Sequence, residues 1–179
     1  MDKSSARKIV KEKLLEQKEF LEKKSWMITS LLLELDVVKN ARSISIYNSL
    51  DKEVNTKAII ERMLDSKRVY LPRVIEDNIE VVEVNKFSQY QVGAFGILEP
   101  SGQSDTSSHI DVVIVPLVAC DKLRNRVGKG KGYYDRFFAS HKDCYKIGLA
   151  FDFQVMNDVI EVESYDVKMD CIITNKEIF

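Results

Sequence analysis

Residues 126–136 read R-V-G-K-G-K-G-Y-Y-D-R, a combination of residue types and spacing suited to holding an anion. Gly128, Gly130 and Gly132 alternate with other residues, and their missing Cβ atoms and access to positive φ let backbone N–H groups converge on one ligand oxygen. Lys122, Arg124, Arg126, Lys129, Lys131 and Arg136 are opposed only by Asp121 and Asp135, although the whole chain carries a formal net charge of −1. Phosphate is the natural guest of such a loop. Tyr133 and Tyr134 open a helical pattern continued by Phe137 and Phe138, which would add helix N-terminal amides and the positive end of a dipole. Asp135 stands out among these cations. A hard cation such as Mg2+, which takes oxygen ligands and neutralises phosphate charge, accounts for a carboxylate there. The spacing excludes both the G-x-G-x-x-G dinucleotide loop and the G-x-x-x-x-G-K-[ST] loop.

The same loop could be a merely solvated glycine-lysine stretch, and its position argues against that. It follows the apolar run of residues 112–116, the most hydrophobic strand candidate in the chain, and ligands of open α/β sheets collect at the carboxyl ends of strands. Further strands are expected near Ser43, Arg68, Lys146 and Cys171, with an edge strand over residues 80–84. The strand from Arg68 is expected to stop at Pro72. Helices are expected from a cap at Ser4 and Ser5 through Val10, Leu14 and Leu21, over residues 26–35 with Trp26 packed inside, and over 57–64. Interspersed strands and helices of this kind predict a mainly parallel central sheet covered on both faces.

At 179 residues, with 45% hydrophobic and 31% charged residues, the chain has the length and composition of one globular domain. Near-neutrality argues against nucleic-acid binding through bulk positive charge. Cys120, Cys144 and Cys171 form no C-x-x-C pair, so reduced core thiols are expected rather than disulfides or a zinc site. No apolar run approaches the length that spans a bilayer, and a cytoplasmic protein is expected.

The segment from Val115 and Pro116 through Cys120 and Asp121, together with residues 126–136, resembles the signature of the 5-formyltetrahydrofolate cyclo-ligase family, V-P-G-L-A-F-D…R-L-G-x-G-x-G-Y-Y-D-R. Leu117 replaces the usual glycine, Cys120 the phenylalanine and Val127 the leucine. These departures concern the packing beneath the loop. The resemblance extends to K-x-x-x-R at Lys3 and Arg7, Y-x-x-x-x-x-E-V-x-T over 47–56, G-x-[WFY]-G-I-x-E-P over 93–100, and a D-x-x-[LMV]-D at 166–170 preceded by Tyr165, where histidine is common. It implies an ATP site formed by Lys3, Arg7, Arg126, Val127, Gly128, Lys129, Gly130, Lys131, Gly132, Tyr133 and Tyr134. Folate would be held by Asn48, Glu53, Phe95, Lys129 and Tyr133, with Glu53 meeting the donor edge of the pterin and Phe95 stacking on its ring.

Catalytic roles would fall to Arg126, Lys131 and Tyr133, and Asp135 and Asp166 would hold Mg2+. The implied fold is a single-domain, three-layer α/β/α sandwich. The implied activity is ATP-dependent cyclisation of 5-formyltetrahydrofolate to 5,10-methenyltetrahydrofolate by a monomer, with no nucleic-acid or membrane partner. Two other readings fit the loop less fully: a non-catalytic nucleotide- or RNA-binding module, and a sugar-phosphate isomerase.

Overall fold

The computed structural model describes residues 1–179 apart from Ala94, Phe95 and Thr106. Helix α1 (Lys3–Glu16) begins at Asp2, whose carboxylate accepts from the amides of Ser4 and Ser5. The expected serine caps therefore lie inside the helix. Asp2 displaces them because its ionised side chain both accepts those hydrogen bonds and matches the positive helix end. A single 3₁₀ turn at Lys18–Phe20 then separates α1 from α2 (Leu21–Glu34), so the expected helix through Leu21 is two helices. The buried stripe of α2 is Leu21, Ser25, Ile28, Thr29 and Leu32, at helical spacing. Trp26 is one residue off that stripe and is 58% exposed, contrary to its expected place inside.

After the short helix α3 (Asp36–Asn40) comes strand β1 (Ser43–Ile46), then α4 (Lys57–Met63), β2 (Arg68–Ile75), β3 (Asn78–Val84), β4 (Tyr90–Val92) and β5 (Leu98–Pro100). The remaining elements are β6 (Val112–Pro116), β7 (Ala119–Asp121), β8 (Arg126–Val127), α5 (Tyr133–Ser140), β9 (Tyr145–Leu149), β10 (Val155–Met156) and β11 (Cys171–Ile173). Six strands form the main sheet in the order β11-β9-β6-β1-β2-β3. All neighbours are parallel except β2 and β3, so the expected mainly parallel sheet is present, and the expected edge strand proves antiparallel. Strand β2 runs straight through Pro72. Its parallel partner β1 reaches only to Tyr70, so β2 beyond that residue is an edge, where proline is tolerated.

Alternation along the strands sends side chains to both faces. Ile44, Ile46, Val69, Leu71, Val112, Ile114, Ile147 and Leu149 pack against α2, α3 and α4. Val113, Val115, Tyr70 and Ile172 pack on the other face against Phe137 and Phe138 of α5. The result is three layers. A smaller cluster joins α1, through Ala6 and Val10, to Ala119 of β7, Val127 of β8, Met156 of β10 and Ile160. That cluster fixes the N-terminal helix beside the loop that follows β8.

Candidate active site

From β1 the chain moves outward to β2 and β3, then returns to place β6 against the other side of β1 and proceeds to β9 and β11. The direction of winding thus reverses between β1 and β6, and a crevice opens beyond their carboxyl ends. A cavity of about 420 Å³ occupies that position, lined by Tyr47 and Asn48 after β1 and by Pro116, Leu117 and Val118 after β6. Lys3, Arg7, Glu53, residues 128–135, Arg126 and Asp166 also line it.

The loop owes its shape to its glycines. Gly130 and Gly132 have φ of 94° and 68°, and Gly132 starts α5 with no side-chain cap, leaving the first amides of that helix without a side-chain acceptor. A Cβ on Gly128 would lie 2.7 Å from Nη1 of Arg126, so a side chain there would push the guanidinium from its position. Arg7 reaches across from α1, its Nε donating to the Gly128 carbonyl at 2.9 Å. Of the six cations counted around the loop, Arg126, Lys129 and Lys131 line the cavity. Lys122 pairs with Glu177, and Arg136 donates to the Asp77 and Lys131 carbonyls, bracing the loop from outside.

Charge pairs fix the rest. Nη2 of Arg126 donates to both carboxylate oxygens of Asp135 at 3.0 and 3.1 Å, and Asp135 also accepts from the Val167 amide. Lys3 binds Asp166, which also accepts from the Glu163 amide. Burial alone would raise the Asp166 pKa, but the Lys3 ammonium and the Glu163 amide outweigh it and hold the carboxylate below its ordinary range. The Lys129 ammonium lies 2.7 Å from Oε1 of Glu53, while Oε2 of Glu53 accepts from the Leu50 amide at 2.9 Å. Burial pushes the Tyr134 hydroxyl well up, Arg126 pulling the other way, so it is a neutral donor near pH 7.

Asn48, Glu53, Lys3, Arg7, Arg126, residues 128–134, Asp135 and Asp166 are thereby brought to one cavity. Val127 is not. Its side chain is fully buried against α1, and its carbonyl accepts from the Val118 amide, so it supports the loop from beneath. Phe95 lies outside the described residues. Arg73 donates to the Pro100 and Gly102 carbonyls and pairs with Glu80, turned away from the site.

Asp135 and Asp166 each have a cationic partner, so a carboxylate among loop cations has an explanation besides metal. Among the described residues no three His, Cys, Asp or Glu side chains converge as a metal cluster. Mg2+ commonly takes only one or two carboxylates when phosphate oxygens supply the rest, and Oδ1 of Asp166 has no hydrogen-bond partner among the described residues. The donor set suits that mode of binding.

The opposite wall is apolar: Pro72, Val74, Ile79, Ile97 and Leu117. Glu99 sits in it, 4% exposed, its Oε1 accepting from the Val74 amide at 3.1 Å. Sequence reasoning missed it as a site residue. Its signs were its fixed place in the G-x-[WFY]-G-I-x-E-P element and a glutamate set against Pro100 in an otherwise apolar stretch, a pattern that burial explains only once the strand pairing is known.

An open, mainly parallel α/β sheet with a basic glycine loop and an apolar wall at its switch point defines the class of α/β proteins that bind ligands across strand ends. The chain belongs to the 5-formyltetrahydrofolate cyclo-ligase family, whose model matches residues 2–175. It is 32% identical over 176 residues to the 5-formyltetrahydrofolate cyclo-ligase of Saccharomyces cerevisiae, covering 83% of each chain. Against the probable 5-formyltetrahydrofolate cyclo-ligase of Schizosaccharomyces pombe it is 28% identical, covering 88% of this chain and 87% of that one. The solved structure of the 5,10-methenyltetrahydrofolate synthetase of Aquifex aeolicus superposes with a TM-score of 0.87 at 32% identity, over 98% of this chain and 91% of the other.

Proposed function

We propose that this protein catalyses the ATP-dependent cyclisation of 5-formyltetrahydrofolate to 5,10-methenyltetrahydrofolate, releasing ADP and phosphate. Family membership across residues 2–175 supports the activity, and one observation carries the assignment of the site. A single cavity of about 420 Å³ joins a glycine loop with Lys3, Arg7, Arg126, Lys129 and Lys131 to an apolar wall of Pro72, Val74, Ile79, Ile97 and Leu117. A triphosphate and a folate have those complementary needs.

A formamide oxygen is a poor leaving group until it is phosphorylated. In the proposed sequence the formyl oxygen attacks the γ-phosphorus and ADP leaves. The neighbouring N10 then attacks the activated formyl carbon, and phosphate departs as the ring closes. Such a reaction asks the protein chiefly for positioning and electrostatic stabilisation. Arg126 and Lys131 would hold the transferring phosphoryl group, with the amides of residues 128–134 around the phosphates and Tyr133 at the formyl centre. Lys3 and Arg7 would bind ATP from α1. Asn48, Glu53, Phe95 and Lys129 would meet folate, with Glu53 also holding Lys129 in place. Asp135 and Asp166 would hold Mg2+, whose charge would offset that of the phosphates.

We assign the protein to the cytoplasm as a single-domain monomer. Among the described residues no helix is long and apolar enough to cross a membrane. Neither the family nor the solved structures support the non-catalytic module. The decisive test mixes purified protein with 5-formyltetrahydrofolate and Mg·ATP and follows the near-ultraviolet absorption of the methenyl product. Product that grows only with ATP present supports the assignment, and none under any condition overturns it.

A further inference from the structure

Both carboxylate oxygens of Glu53 already have a partner within the chain. Oε1 is 2.7 Å from Lys129 and Oε2 is taken by the Leu50 amide. Glu99 is differently placed. It is 96% removed from solvent by its 4% exposure, it lines the cavity among Pro72, Val74, Ile79 and Ile97, and a single amide serves its Oε1. Oε2 has no hydrogen-bond partner among the described residues, and no lysine, arginine or histidine pairs with the carboxylate among them. The chain makes room for this group. A Cβ on Gly93 would fall 2.0 Å from Oε2, so glycine at 93 is what lets the carboxylate occupy its position. A buried carboxylate without a cation is unfavourable unless something donates to it, and among the described residues the Val74 amide is the one donor that reaches it.

We propose that Glu99, rather than Glu53, reads the donor edge of the pterin, accepting from the ring N3–H and the 2-amino group. The proposal rests on the folate reading of this site. Two adjacent N–H donors in one plane match two carboxylate oxygens, a geometry that a neutral amide cannot reproduce because one of its ends is itself a donor. The flat ring attached to that edge would lie along the apolar residues, and the formyl group would extend toward Lys129 and Tyr133. Glu99 would thus set which heterocycle is accepted, without touching ATP.

The test compares equilibrium binding of 5-formyltetrahydrofolate with that of the same folate carrying methyl in place of the 2-amino group. The proteins are the parent, Glu99→Gln and Glu53→Gln. The parent should prefer the amino form by about 10-fold or more, since the analogue leaves a buried acceptor unmet. In Glu99→Gln that preference should collapse to about 2-fold or less while ATP affinity stays within about 2-fold of the parent's. Glu53→Gln should keep the parent's preference. The glutamine retains an oxygen for the Val74 amide, and unchanged ATP binding reports an intact fold. A parent indifferent to the 2-amino group, an undiminished preference in Glu99→Gln, or a preference lost in Glu53→Gln overturns the assignment. Should Glu99→Gln fail to fold, an indifferent parent or a preference lost in Glu53→Gln still overturns the assignment. A parent that forms no methenyl product overturns the function itself; one that forms it with any of those three binding results overturns only Glu99.

Discussion

Arg126 combines two tasks that the sequence alone makes look like one. Its side chain is 6% exposed and that of Asp135 is 16% exposed, so the pair is held largely out of water while Nη1 remains beside Gly128 at the cavity. Removing one member of such a pair leaves the other charge buried, which typically costs on the order of 3 kcal/mol. Arg126→Ala should therefore lower thermal stability as well as turnover. Lys131 is exposed and forms no ion pair among the described residues, so Lys131→Ala should melt like the parent and lose roughly 10²-fold in kcat, a loss typical of a removed electrostatic donor. Calorimetry and steady-state turnover on both variants separate the two roles. Equal melting temperatures would show that Asp135 does not depend on Arg126. From residue types alone both side chains read as loop cations, because the spacing of 126 and 131 holds no information about which one a carboxylate nine residues on would claim.

Among the elements, α5 depends on the glycine that starts it and α2 on a carboxylate outside it. Gly132 has a φ of 68°, and a Cβ there would also fall 2.8 Å from Nη1 of Arg136. Gly132→Ala should destabilise the protein by about 1–2 kcal/mol through left-handed strain, with a fall in turnover as the loop shifts; an unchanged melt would mean the loop relaxes freely. Asp152 binds Lys24 of α2 at 2.6 Å and Lys176 at 2.7 Å, tying that helix to the chain after β11. Burial works against its ionisation, yet Lys176 and Lys24 bring its pKa down to about 2. A depressed pKa means stability present above the unfolded carboxylate value and lost as pH falls toward the folded one. Asp152→Asn should thus be less stable than the parent at pH 7, with the gap closing between about pH 4 and pH 2 in unfolding measurements. A gap independent of pH would remove the ion pair as its cause. Alternating apolar residues made the parallel strands legible. The helix ends were less so, since Asp2 and the turn at Lys18–Phe20 are decided by caps and contacts that periodicity does not encode.

For the whole molecule, the three cysteines report on how well the layers close. Cys120, Cys144 and Cys171 are free and buried, and burial raises each thiol, that of Cys120 up to about 12. Ellman's reagent at pH 8 should find no reactive thiol in the native protein and all three after denaturation; rapid labelling of the native form would mean the sheet faces open readily. The architecture could be read from strand order and loop position, and most cavity residues from the motifs that carry them. Glu99 stands in one of those motifs, but its role could not be read from it, because that role comes from isolation among apolar side chains of β2, β3 and Ile97. The attachment of α1 has a consequence for how the chain acquires its shape. Lys3 meets Asp166 across 163 residues of sequence, and Arg7 meets the Gly128 carbonyl across 121. Contacts of that span form late, since the intervening chain must be ordered before they can offset their loop-closure entropy. During synthesis, then, α1 emerges long before the residues that anchor it, and a nascent chain stalled before Asp166 would carry most of the sheet while Lys3 still lacked its carboxylate partner.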